Sequence, residues 1–134
     1  MAMEPIEAQS SDLGDLSVLV VEDSWQVATG LTMLLQSWGA EVIGPAATVA
    51  DAERMISERR PNVAIVDINL RGGERSHGLI DRLHEQGVGV VVMTGYAEVS
   101  LQLSKAVVIL QKPMREELLL ESLRRARTHQ GRKD

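Results

Sequence analysis

The sequence contains no cysteine in 134 residues. That excludes a disulfide framework, a thiolate metal site and a cysteine nucleophile. Phenylalanine is also missing, and the aromatics are Trp25, Trp38 and Tyr96. The core must therefore be built from Val, Leu, Ile, Ala and Met. No apolar run approaches the roughly 18 residues of a membrane span, so no membrane partner is expected. Basic charge is in deficit: the net charge is −5, which argues against a broad nucleic-acid-binding surface. Gly87 and Gly89 form no GxGxxG pattern and there is no P-loop, so dinucleotide binding has no support.

The first residues, MAMEPIEAQSSDLGDL, carry neither a basic n-region nor an apolar h-region, so they do not read as a signal peptide. With the missing cysteines, this fits the cytoplasm. The length suits one domain. Residues 1–15 read as a flexible tail, 16–130 as the folded domain and 131–134 as a C-terminal tail.

Five short β-branched runs stand out: SVLVVE (17–22), AEVIG (40–44), VAIVD (63–67), VGVVVMT (88–94) and AVVIL (106–110). Near-continuous apolar character suits strands buried on both faces of a parallel sheet. Helical periodicity lies between them. Residues 24–38 space Val27, Leu31, Leu34, Leu35 and Trp38 along one face, with Ser24 as cap and Gly39 as stop. Residues 48–59 do the same with Val49, Ala52, Met55 and Ile56 after Thr48, and Pro61 lies beyond their end. Residues 76–86 place Leu79, Ile80 and Leu83 on one side, and residues 115–128 place Leu118, Leu119 and Leu123 inward. The segment 95–105 has room for about two turns and predicts a short or irregular fourth helix. The order is βα repeated five times, which predicts an α/β, doubly wound, five-stranded parallel sheet.

Ligands of such sheets bind outside the carboxyl ends of the strands. Those ends carry unusual chemistry here. Glu22 and Asp23 end the first strand, Asp67 the third and Thr94 the fourth, while Lys112 and Pro113 follow the fifth. Asp67 directly follows buried apolar residues, and a carboxylate there is costly unless something needs it. Three neighbouring carboxylates favour a hard cation, and oxygen ligands with water suit Mg²⁺. A carboxylate beside Mg²⁺ can attack phosphorus and form an aspartyl phosphate. Lys112 can neutralise the phosphoryl oxygens and Thr94 can donate to one of them. Asp67 is the candidate acceptor.

The motifs VLVVEDS, VAIVDINL, VVMTGYA and LQKPM, in that order at strand ends, resemble those of response-regulator receiver domains of two-component signalling. The resemblance covers about residues 16–130. It implies a flavodoxin-like sheet of strand order 2-1-3-4-5. It implies that Glu22 and Asp23 hold Mg²⁺ and that Asp67 binds it while taking the phosphoryl group from a kinase phosphohistidine. The backbone carbonyl of Asn69 would complete the metal site. Thr94 and Lys112 would read the phosphoryl group, and a cis bond would join Lys112 to Pro113. Such a domain phosphorylates and dephosphorylates itself rather than turning over a conventional substrate.

Three departures from the family pattern stand out. Ile109 occupies the fifth-strand position usually held by Tyr or Phe, so the usual aromatic–threonine switch cannot work in its standard form. The stretch from Thr94 to Lys112 is short, and the loop RGGERSHG lacks the common proline. With Thr94-Gly95-Tyr96 and Gln111-Lys112-Pro113, these traits resemble the stand-alone receivers called the FATGUY group. Val92 and Met93 replace that group's Phe and Ala. Tyr96 is the candidate to take over switching.

The expected partners are a histidine kinase or phosphotransfer protein and a downstream protein target. Only about twenty residues follow Lys112, so output is expected through protein–protein interaction, phosphorelay or a phosphate sink. The chain is expected to be a monomer or a phosphorylation-dependent homodimer. The rival readings are an interaction module that never uses the site and a phosphohydrolase. Such hydrolases carry a second acid two residues past the nucleophile, where this chain has Asn69. His77, His84 and His129 lack metal-ligand spacing. The basic stretch RRARTHQGRK reads as cations at a helix C-terminus rather than as a nucleic-acid contact.

Overall fold

Two of the apolar runs are buried at every position, and they lie at the centre of the sheet. The computed structural model describes residues 12–95, 108–111 and 115–128. The strands are β1 (Ser17–Val21), β2 (Glu41–Ala46), β3 (Val63–Asp67), β4 (Gly89–Thr94) and β5 (Val108–Gln111). The helices are α1 (Trp25–Ser37), α2 (Val49–Glu58), α3 (His77–Glu85) and α4 (Glu116–Thr128). All strand pairs are parallel, in the order β2-β1-β3-β4-β5. This is the flavodoxin-like, doubly wound arrangement expected from the sequence. The fourth-helix segment after Gly95, and with it Tyr96, lies outside the described residues, as does the Lys112–Pro113 bond. The cis peptide among the described residues is Gly44–Pro45, within β2.

Strand alternation divides the core into two layers. Val18, Val20, Val63, Ile65, Val91 and Met93 face α1 and α4. Leu19, Val21, Ala64, Val66, Val90 and Val92 face α2 and α3. The helices begin where their caps are. Ser24 Oγ accepts from Val27 N at 3.4 Å, and Thr48 Oγ1 accepts from Asp51 N at 3.0 Å. On the exposed rim of β2, Arg59 donates to Glu41 and to Ser17. The hydrogen bond from Arg59 holds the Glu41 carboxyl below its ordinary pKa.

Two expectations meet a different outcome. Leu118 does not face the sheet; it is exposed, while Leu119, Leu123 and Ala126 are buried. Those three lie four and three residues apart and make one stripe; Leu118 is a residue out of phase with it. Residues 12–15, assigned from sequence to a tail, form a turn packed on the domain. Leu13 is 0% exposed within the α1–α4 layer, and its N–H donates to Trp38 O at 2.8 Å. Arg124 donates to Asp12 and Arg127 to Asp15. Two arginines of the basic stretch are therefore tied to this turn. Each such surface pair contributes about 0–1 kcal/mol, so the buried leucine dominates.

Helix α4 lies so close to the start of β4 that Gly89 has no room for a side chain. A Cβ there would sit 2.4 Å from the Ala126 carbonyl oxygen. Gly89→Ala is expected to destabilise the domain by about 1–3 kcal/mol through this backbone clash, read from urea unfolding. Leu13→Ala is expected to cost about 2–5 kcal/mol in the same assay. A freely moving tail would give no change.

Candidate functional site

The strand order reverses at β1, because β2 lies on one side of it and β3 on the other. The carboxyl ends of β1 and β3 therefore flank the crevice where such sheets take ligands. The last register pair is Val21 with Val66. The next residues along the two strands are Glu22 and Asp67. Both share the strand parity that faces α1.

Glu22, Asp23 and Asp67 each offer a carboxylate oxygen, and these oxygens all lie within 4.8 Å of one another. Glu22 is 2% and Asp67 4% exposed, with Asp23 more open. Local backbone geometry aims two of them. Ser24 N donates to Glu22 Oε2 at 2.9 Å, which ties that carboxylate to the entry of α1. Asn69 N donates to Asp67 Oδ1 at 3.0 Å, a turn typical of aspartate. Thr94 is 4% exposed and follows Met93, the register partner of Asp67. Trp25 opens α1 two residues past Asp23 and is 77% exposed.

The donor set decides which ion fits. All three groups are hard carboxylate oxygens, without sulfur or imidazole. Oxygens gathered this closely can share one hard cation. The residues thus fit Mg²⁺, with water completing the shell.

The structure brings Glu22, Asp23 and Asp67 together, as the sequence led us to expect, and buries Thr94 at the same edge. Asn69 is placed beside Asp67 through its amide. Ile109 sits on the edge strand β5, paired with Val92, and is exposed. Lys112, Pro113 and Tyr96 fall outside the described residues.

Two residues escaped sequence reasoning. Ser76 Oγ donates to the main-chain carbonyl of Asp67 at 2.6 Å, and Ser76 is 0% exposed. Glu74 Oε1 accepts from Val49 N, the first amide of α2, at 3.2 Å. A serine just before a helical pattern reads as an ordinary cap, and a loop glutamate reads as solvated. Neither carries a local signal of its real partner. The loop that carries them folds back on itself: Asn69 bridges Arg75, and Leu70 N donates to Glu74 O. Gly72 (φ 75°) and Gly73 (φ 81°) make the bend in the left-handed region.

Comparison with known proteins agrees with this geometry. Residues 18–124 match the family model described as the response regulator receiver domain. This chain belongs to that family. The receiver is 34% identical over 83 residues to the phyllosphere-induced regulator PhyR of Methylorubrum extorquens, covering 60% of this chain and 31% of that protein. It therefore spans about a third of that relative's length. Its fold resembles the PhyR receiver domain of Erythrobacter litoralis, with TM-score 0.79, 24% identity, and 89% and 95% of the two chains covered. It also resembles a CheY-like response regulator receiver domain protein of Methanospirillum hungatei. There the TM-score is 0.75 with 25% identity, covering 84% of this receiver and 94% of that chain.

The acidic triad is typical of the Mg²⁺-binding receiver site. No helix among the described residues is long and apolar enough to cross a membrane. Saturating Mg²⁺, at about 100 times its Kd, is expected to raise the unfolding free energy by about 2.7 kcal/mol. The readout is the Tm, with Trp25 fluorescence reporting occupancy. Asp23→Asn is expected to abolish most of this gain.

Proposed function

We propose that this receiver accepts a phosphoryl group on Asp67 from the phosphohistidine of a histidine kinase or phosphotransfer protein. The observation that carries this reading is the meeting of Glu22, Asp23 and the nearly buried Asp67 at the switch point of the sheet. Glu22, Asp23, Asp67 and the main-chain carbonyl of Asn69 hold Mg²⁺, which supplies positive charge against the phosphoryl oxygens. An Asp67 carboxylate oxygen forms the new bond to phosphorus. The P–N bond breaks, and its electron pair leaves with the imidazole, which takes up a proton. Thr94 donates its hydroxyl to one phosphoryl oxygen and Lys112 pairs with another.

The phosphorylated form then shifts a two-state equilibrium toward a partner-binding state. The surface we assign to that output spans β5 and α4. Ile109 and Leu118, 48% and 43% exposed, supply apolar contact area on those two elements. Because Ile109 offers no ring, Tyr96 is our candidate for the switching side chain. The Thr94-Gly95-Tyr96 and Gln111-Lys112-Pro113 sequences support placing this receiver in the FATGUY group, acting in the cytoplasm through protein–protein contact or phosphate flow.

Intact mass after incubation with acetyl phosphate, and then with a cognate kinase, tests the proposal. The expected result is a Mg²⁺-dependent gain of one phosphoryl group that Asp67→Asn abolishes. No gain from either donor would leave a binding module with a receiver fold.

A further inference from the structure

Ser76 occupies the N-cap position of α3, yet its side chain makes no capping hydrogen bond there. Its hydroxyl is spent elsewhere, on the main-chain oxygen of Asp67 at 2.6 Å. The direction of that oxygen follows from the sheet. Ile68 N donates to Met93 O at 3.0 Å, so this amide points toward β4. The Asp67–Ile68 peptide is trans, so the Asp67 carbonyl points the opposite way, toward β1. The β1–β3 ladder has ended by then, with Val21 opposite Val66 as its last pair. Ser76 donates to that oxygen just past the last β1–β3 pair. Its own amide donates to Ile68 O at 3.2 Å. The two bonds grip successive peptide units, those on either side of Ile68.

We propose that Ser76 is a positioning residue for the phosphoacceptor, its buried hydroxyl locking the Asp67–Ile68 peptide plane. That plane determines where the Asp67 carboxylate points and where the Asn69 main chain lies. The bond works on orientation rather than on loop integrity, because the loop has a separate anchor. Glu74 accepts from Val49 N at the start of α2. Rotation of the peptide in the absence of the hydroxyl would misdirect two metal-holding groups together. The inference rests on the phosphoacceptor reading for its effect on phosphorylation, but its effect on Mg²⁺ affinity stands apart from that reading.

The test compares Ser76→Ala, Ser76→Cys and Glu74→Ala with wild type. Cysteine fills nearly the same volume with a weak donor, so Ser76→Cys serves if alanine at this buried position prevents folding. Glu74→Ala loosens the loop without touching Asp67. Three quantities are measured: Tm without Mg²⁺, Mg²⁺ affinity by isothermal titration, and the rate of phosphoryl gain from acetyl phosphate by intact mass. Both Ser76 variants are expected to weaken Mg²⁺ binding about tenfold or more, the scale for outer-shell partners of metal ligands, and to slow phosphorylation similarly. Glu74→Ala is expected to lower Tm while leaving both within about twofold, less than such an outer-shell loss. Mg²⁺ affinity unchanged in the Ser76 variants would overturn the proposal, as would an equal loss in Glu74→Ala. If wild type takes up no phosphoryl group, the phosphoacceptor reading fails, and the Mg²⁺ comparison still decides the role of Ser76.

Discussion

Bringing Glu22 and Asp67 side by side, nearly out of water, is unfavourable for both charges unless a cation or hydrogen bonds compensate. The fold does this at one place, the crevice where the strand order reverses. Main-chain amides of Ser24 and Asn69 hold the two carboxylates in fixed directions. The residues around them follow from that constraint. A one-residue slip of β3 would exchange the residues on its two buried faces and carry Asp67 away from Glu22. The sheet therefore fixes how far along β3 Asp67 stands.

The loop after β3 extends this control. Near its end it is held twice, by Ser76 on the Asp67 carbonyl and by Glu74 on the first amide of α2. The double glycine lets it turn back within a few residues. The same loop therefore touches the acid site and the start of a helix in the other layer.

The opposite layer closes around α4. Gly89 admits the C-terminal part of that helix against the start of β4, and the turn at Leu13 is tied to the same part of it. The outer face of this region leaves Ile109 and Leu118 uncovered. Aliphatic residues replace rings throughout, in keeping with a chain that has three aromatics. Trp38 is buried with Leu13, whereas Trp25 stands in solvent beside the acids.

Much of this was legible before any coordinates. Strand and helix periods are local, so β3 and the caps at Ser24 and Thr48 were placed to the residue. The acid cluster was legible because strand ends in a parallel sheet must share an edge. Leu118 was not, since its phase relative to Leu119 and Leu123 depends on how α4 lies on the sheet. The turn at residues 12–15 looks like a polar tail, and its Asp12 finds Arg124 across 112 residues of chain. Ser76 looks like a helix cap, and only packing turns its hydroxyl toward a carbonyl nine residues earlier. By itself the sequence determined the order of elements, the kind of sheet and the three acids at its edge, because those depend on periodicity and on where apolar runs stop. The tertiary structure alone decided which hydroxyl bonds the Asp67 carbonyl, which loop reaches α2 and what the N-terminal turn covers, because those contacts join separated segments and leave no local pattern.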